Sequence, residues 1–275
     1  HYAPKKLKII WIYVTRNVIW SQPDSERAHA AGIRVITENE LDYYAAFINH
    51  VGPAGRFQVL GEMLGGLKVP GLSGHKVLAA RGKLGEFTYY SFVASALDIL
   101  KVAFVNHYAL NHPDGQPAYQ RMLSKHRLKK IGQFISDGGY FPTNIILNFD
   151  KEQRFERLEK KGTGGAKTEY GWLYLPSEYK AAWVIDGQHR LYGYSFAEKG
   201  NWNDDVLILA FEEMDKKSEA DLFITINQEQ KSVPRSIIVA LQADLKWGSE
   251  DAKDRLDAIA SRVIAKLNTD KTSPI

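Results

Sequence analysis

Apolar and polar positions alternate along this chain with two different periods, and the change from one to the other marks out the elements. Lys8 to Val14 is a β-prone run, Ser25 to Ala31 is polar and rich in helix formers, and Gly32 to Ile36 is a second short β-prone run. Strand, helix and strand in that order predict a βαβ unit. Thr37 with Glu40 three residues on is a capping-box signature, which predicts a helix through about Val51. Gly52-Pro53, Gly65-Gly66, Pro70-Gly71 and Gly74 then break the periodicity, leaving room for one short helix around Phe57 to Leu64. The expected organisation is a partial βαβ unit over residues 1–51, a linker over 52–74, and a larger domain over 75–275.

In that larger part, Glu86 to Val93 and Leu100 to Val105 are β-prone, and a Pro/Gly loop follows at His112 to Pro117. Leu128, Ile131, Phe134 and Ile135 recur at helical spacing behind Ser124 as N-cap, with Gly138-Gly139 closing the helix. Strands are expected at Asn144 to Phe149, Trp172 to Leu175, Ala181 to Ile185 and Val206 to Phe211, with a polar stretch from Asp150 to Glu169. Ser218 and Asp221 read as a capping pair for a helix that Asn227 closes. Pro234 reads as the first turn of a helix through Ile237 to Leu245. Ser249 would cap a last amphipathic helix carrying Leu256, Ile259, Val263, Ile264 and Leu267. There are no internal repeats.

Composition narrows the classes. With 275 residues, 44% of them apolar, the chain can bury a sizeable core. The absence of cysteine excludes disulfide scaffolding, thiolate zinc sites and cysteine nucleophiles from these residues. Its longest apolar runs, such as Ile9 to Val14, are too short to cross a bilayer, and the expected location is cytoplasmic with no membrane partner. A first residue of His1 in place of Met reads as a portion of a longer protein. The net charge of +4 permits a polyanionic partner without requiring one. Where the cations cluster matters more. Lys125, His126, Arg127, Lys129 and Lys130 share one helix with no acidic residue before Asp137, and Arg121 lies just ahead of it. Nucleotide phosphates, a DNA backbone and plain solvation of a helix face all suit that stretch.

Two segments carry candidate chemistry. Gly162 to Thr168 looks like a phosphate-binding loop, but Lys161 and Ala166 stand where a P-loop needs glycine, so it reads as an exposed loop. Val184 to Gly193 differs: an apolar strand runs into a Gly-containing turn, Asp186-Gly187-Gln188-His189-Arg190, and then into a helix. Such a turn directs free backbone N–H groups at an anion, with Gly187 allowing close approach and Arg190 offering a planar fork. Gln188 and His189 add further hydrogen-bonding groups. Asp186 would repel a phosphate unless it caps the helix, binds Mg²⁺ or orients a water, and a plain N-capped helix is the simpler alternative. The aromatic residues Trp172, Tyr174, Trp183, Tyr192 and Tyr194 suit a core better than base stacking.

Asp186 to Arg190 is also the signature pentapeptide of the DGQHR-domain family, which includes DndB-like proteins of DNA phosphorothioation systems and is similar to the ParB/sulfiredoxin superfamily. Gln120-Arg121, Arg127-Leu128, Ile131, Tyr140-Phe141-Pro142, Phe223 to Asn227 and Lys231 to Pro234 resemble further elements of that family, over roughly residues 98–245. The resemblance implies a mixed α/β (α+β) fold with a ParB/sulfiredoxin-like domain. It implies a nucleotide-phosphate-binding function, with an Mg²⁺-dependent NTPase in DNA modification or phage defence as one reading and a non-enzymatic DNA-binding regulator as the other. By carry-over, Asp186 and His189 would be catalytic, with Asp186 also the metal ligand. Gly187, Gln188, Arg190, Arg121, Arg127 and Asn227 would hold phosphate, with Gln120 and Asn144 behind them, and Lys125, Lys129 and Lys130 would meet nucleic acid. The implied cofactors are Mg²⁺ and a nucleoside triphosphate, and the implied partner is DNA. The first fifty residues, by element order, resemble the C-terminal half of Mrr-like restriction-endonuclease folds, although no Asp…Glu-x-Lys set lies within them; a purely structural βαβ corner is the other reading.

Overall fold

The computed structural model describes residues 9–105, 123–158, 168–229, 246–247 and 250–269. The βαβ pattern at the start forms as expected. β1 (Trp11–Val14) and β2 (Ile33–Ile36) pair in parallel around α1 (Gln22–Ala30), and Thr37 and Glu40 close a capping box on α2 (Glu38–Val51). Apolar positions on α2 at helical spacing turn Phe47 and Val51 inward, where they join the same core cluster as the large sheet. α3 (Gly55–Leu64) follows directly.

β3 (Lys76–Leu84) and β4 (Phe87–Ser95) form a hairpin, and α4 (Ala96–Val102) leads into the two-residue β5 (Ala103–Phe104). Leu100 to Val102 therefore close a helix where the β-prone run predicted a strand. Ser95 accepts from the backbone N–H of Asp98 and starts that helix, so a local cap outweighs the apolar run. Next come α5 (Lys125–Ser136), β6 (Ile145–Phe149), β7 (Phe155–Arg157), β8 (Glu169–Tyr174), β9 (Ala182–Asp186) and α6 (Gln188–Gly193). β10 (Asp205–Glu212), α7 (Lys216–Glu229) and α8 (Ala252–Thr269) complete the described elements. Strands β3 and β7 go beyond the sequence pattern.

Eight strands form one curled, mixed sheet in the order β5-β9-β6-β10-β4-β3-β8-β7. Parallel pairs join β10 to β6 and β5 to β9, and the other neighbours are antiparallel. The fold is thus mixed α/β, as expected. On one face a continuous core runs from Phe47 and Leu72 through Tyr90 and Leu100 to Leu128 and Tyr192. A smaller cluster of Ile185, Phe211, Met214, Ala220, Phe223 and Ile224 seats α7 on the other face.

Two buried polar networks set the elements around β9. Gln58 on α3 brackets Val105, donating to its carbonyl at 2.8 Å and accepting its N–H at 3.0 Å. The same Gln58 oxygen accepts the hydroxyl of fully buried Tyr192 on α6 at 2.9 Å, so the network fixes α6 against the end of β5. Asn148 on β6 donates to the Met214 carbonyl at 2.8 Å and to Glu219 at 2.6 Å, and accepts the Met214 N–H at 3.1 Å. This pins the start of α7 to β6. Removing one partner from either network would leave a buried polar group unpaired, at about 1–3 kcal/mol. α5 and α6 approach so closely that a Cβ on Gly193 would lie 2.1 Å from a methyl of Ile131, which makes glycine necessary there.

Two cap assignments change. α7 begins at Lys216 and is capped by Asp215, which accepts from the N–H groups of Lys217 and Ser218; Ser218 lies inside the helix. The same helix runs past Asn227, whose side-chain amide donates to the Phe223 carbonyl one turn back. Asp251 accepts from Lys253 and Asp254 at the start of α8, while the predicted cap, Ser249, lies outside the described residues. Gly162 to Lys167, Lys231 to Pro234 and the predicted helix Ile237 to Leu245 also lie outside them. No helix among the described residues is long and apolar enough to cross a membrane.

Candidate functional site

β9 ends at Asp186, and the chain turns through Gly187 at φ +88° into α6. An L side chain is disfavoured at that angle, so glycine makes the turn. Gly187 itself is the N-cap and no side chain caps α6. The capping role weighed for Asp186 is therefore not what its carboxylate does. Asp186 Oδ2 accepts from Arg190 Nη2 at 2.9 Å, an i,i+4 ion pair with both side chains largely buried. Arg190 Nη1 donates to the Thr143 carbonyl at 2.7 Å and also to the Thr143 hydroxyl, so the guanidinium locks the turn to the residues entering β6. Burial pulls the Arg190 pKa below the usual arginine value; Asp186 opposes that shift, and the charge of Arg127 adds to it.

That turn forms the floor of a cavity of about 710 Å³. Asp186, Gly187, Gln188, His189 and Arg190 line it together with Arg127 from α5, Asn144 ahead of β6, and Asn227 from α7. Ile131, Phe141, Pro142, Ile146, Leu209 and Phe223 supply apolar wall. Its formal charges are two guanidinium cations against one carboxylate. Asp186 and Arg190, the two desolvated charges, neutralise each other, so the cavity's net positive charge is that of exposed Arg127, which favours an anion. Gln188 is buried, and its Oε1 has no hydrogen-bond partner among the described residues. His189 Nε2 accepts the Ser124 N–H at 3.3 Å, which ties α6 to the start of α5.

The structure thus gathers Asp186, Gly187, Gln188, His189, Arg190, Arg127, Asn144 and Asn227, drawn from α5, α6, α7, the end of β9 with its turn, and the entry to β6. Arg121 and Gln120 lie outside the described residues. The basic helix divides. Lys125 turns away from the cavity, donating from Nζ to the Asn49 carbonyl at 2.7 Å near the C-terminus of α2, a favourable place for a cation. Lys129 and Lys130 are exposed and do not line the cavity. Sequence reasoning did not single out Thr143. Nothing in its local pattern marks it, because its role comes from Arg190, 47 positions away.

Among the described residues no group of three or more His, Asp or Glu could hold a metal ion. Asp186 is the cavity's one carboxylate, and Arg190 already occupies one of its oxygens. Magnesium takes oxygen ligands and usually one or two carboxylates alongside phosphates and waters. The protein groups present do not fit a metal centre of their own.

A family model for DndB, described as DNA-sulfur modification-associated, matches residues 77–269. Neither curated proteins nor solved structures gave a significant match. The matched span contains the hairpin, the DGQHR turn, the basic helix and α7, and so every described residue of the cavity. On the strength of that match, the chain belongs to the DndB family of proteins associated with DNA sulfur modification.

Proposed function

We propose that the cavity at the DGQHR turn binds the phosphates of a nucleotide, and that this binding serves the DNA sulfur modification system to which the family belongs. One observation carries the reading: Arg127 and Arg190 share a walled cavity of about 710 Å³ with Gln188, Asn144 and Asn227. Its volume lies in the range of small-molecule sites, and the apolar wall of Phe141, Pro142 and Phe223 gives a flat ring a surface to lie on. A ParB/sulfiredoxin-like origin of the domain belongs to the same proposal, supported by the strand-turn-helix that carries the signature. Any Mg²⁺ would arrive on the phosphates of the nucleotide.

The test is equilibrium binding of ATP, GTP and CTP with phosphate release measured in parallel. Arg190→Ala removes a charge-assisted contact and should weaken binding by about 1.5–3 kcal/mol. Asp186→Asn leaves Arg190 uncompensated. It should preserve or tighten binding, and it should abolish turnover if Asp186 orients a water. Wild type that binds no nucleotide would overturn the reading; wild type that binds without releasing phosphate makes the site regulatory.

Exposed Lys129 and Lys130, on the helix that brings Arg127 to the cavity, favour a second reading in which DNA lies along α5. Log affinity should then fall with log salt, and neutralising Lys129 and Lys130 should flatten the slope by about one phosphate each.

A further inference from the structure

The charge of the DGQHR cavity is small for a free nucleotide. Asp186 and Arg190 pair at 2.9 Å and cancel, which leaves Arg127 as the uncompensated cation among the described residues that line it. A nucleoside triphosphate brings several negative charges, more than one guanidinium balances even when Mg²⁺ accompanies it. DNA carries one negative charge per phosphate, so a single phosphodiester matches Arg127. Further cations continue outside the cavity. Lys130 lies three positions beyond Arg127 on α5, hence on the same helix face, and it is exposed without lining the cavity. That spacing suits a chain of phosphates passing the cavity mouth.

Inside the cavity, one group needs something that a phosphate does not carry. Gln188 is 9% exposed, lines the cavity, and has no hydrogen-bond partner for its Oε1 among the described residues. An amide bears a donor and an acceptor, and whichever way it is turned the acceptor needs a donor opposite it. Ionised phosphodiester oxygens only accept. The edge of a nucleobase presents donors and acceptors side by side, which is why glutamine and asparagine amides read bases. Asn144 and Asn227 line the same cavity, and Phe141, Pro142 and Phe223 offer apolar surface to a ring. A base within a duplex is stacked between its neighbours, so only a base turned out of the stack can reach Gln188. Two further rings stand in solvent beside Phe141: Tyr140, next to it in sequence and 78% exposed, and Phe134, 46% exposed with its ring centroid 5.2 Å away. Exposed aromatic rings next to cations are stacking platforms for a nucleic-acid strand.

We propose that the cavity takes one nucleotide of a DNA strand, with its base turned out of the stack. Arg127 meets the phosphodiester of that nucleotide and Lys130 the next phosphate. Gln188 reads the edge of the base, whose faces lie against Phe141, Pro142 and Phe223, and Tyr140 stacks on the neighbouring base that stays outside. The inference rests on the reading of this cavity as a nucleotide-phosphate site and names the form in which the nucleotide arrives. It also joins that site to the basic face of α5, because one strand crosses both.

The experiment titrates the full chain with a short labelled duplex, with the same duplex carrying a central mismatch, and with ATP. A mismatch lowers the cost of extruding a base, so the mismatched duplex should bind more than about tenfold more tightly than the paired one, and more tightly than ATP. Gln188→Leu should remove most of the mismatch preference and leave the salt dependence unchanged, because Gln188 meets the base. Arg127→Gln should keep the preference and flatten the slope of log affinity against log salt by about one phosphate. Equal affinity of wild type for the two duplexes, ATP binding as tightly as the mismatched duplex, or a folded Gln188→Leu chain with the full preference would each overturn the proposal. Where ATP still binds, those outcomes leave the nucleotide site standing, whereas a chain that binds neither ATP nor DNA loses both readings. The comparison of the two duplexes is made on wild type, so it decides the matter even where a variant fails to fold.

Discussion

Replacing Gly187 by alanine tests whether the signature turn is built around a single backbone angle and a single guanidinium. Two costs add at this position. At φ +88° an L side chain meets its own carbonyl, worth about 1–2 kcal/mol. The new methyl would also lie 3.0 Å from Arg190 Nη2 and 3.2 Å from the Ile145 Cα. The backbone of Ile145 cannot retreat without disturbing β6, so the guanidinium must move, loosening its contacts to Asp186 and Thr143. A charge-assisted hydrogen bond contributes about 1.5–3 kcal/mol, so partial loss brings the total to roughly 2–4 kcal/mol. Gly74 provides the control: its φ is +80°, yet a Cβ there meets nothing within 4 Å. Gly74→Ala should cost about the angular term alone, about 1–2 kcal/mol. Urea unfolding of both variants gives the difference, and nucleotide titration shows whether it reaches the cavity. Equal destabilisation of the two variants, with nucleotide affinity unchanged in Gly187→Ala, would refute the claim that the turn positions Arg190.

The remaining predictions concern groups around the same framework. Gln188→Leu removes a buried acceptor that has no partner among the described residues, so the unliganded protein should gain up to about 1–3 kcal/mol while nucleotide binding weakens. Urea unfolding and calorimetric titration check both halves, and a clear loss of stability would show that Gln188 is structural. Asp215→Ala removes the α7 cap and should cost about 1 kcal/mol at neutral pH. Hydrogen bonds from the Ser218 hydroxyl, and then from the backbone N–H groups of Ser218 and Lys217, hold the Asp215 carboxyl below the usual carboxylate range. A depressed folded-state pKa gives stability that is present above the unfolded value, about 3.9, and is lost as pH falls through the folded one. The gap between wild type and variant should therefore close in acid, and a gap that stays constant from neutral pH to below pH 3 would contradict the assignment.

Much of this protein is written locally. The capping box of Thr37 and Glu40, the Ser124 cap with the amphipathic α5, and the apolar strand running into Asp186-Gly187 each depend on residues within one or two turns of one another. Short-range hydrogen bonds and side-chain periodicity fix such features, so the sequence alone determined them. The start of α4, the cap of α7 and its passage beyond Asn227 were decided by which of several nearby polar groups actually turned towards the backbone, and composition does not rank those groups. β3 and β7 lack a strong pattern of their own and form because β4 and β8 offer them a ladder. The site divides in the same way. The pentapeptide was legible, whereas the pairing of Asp186 with Arg190, the Thr143 anchor and the departure of Lys125 towards α2 were not. Those contacts join residues as many as 76 positions apart, and no periodicity encodes which distant carbonyl a long cationic side chain will reach. Only packing of the helices onto the sheet, directed by the Gln58–Tyr192 and Asn148–Glu219 networks, brings α5, α6 and α7 to one cavity. The tertiary structure therefore decided which of the legible cations serve the cavity, because desolvation and distance are properties of the folded chain.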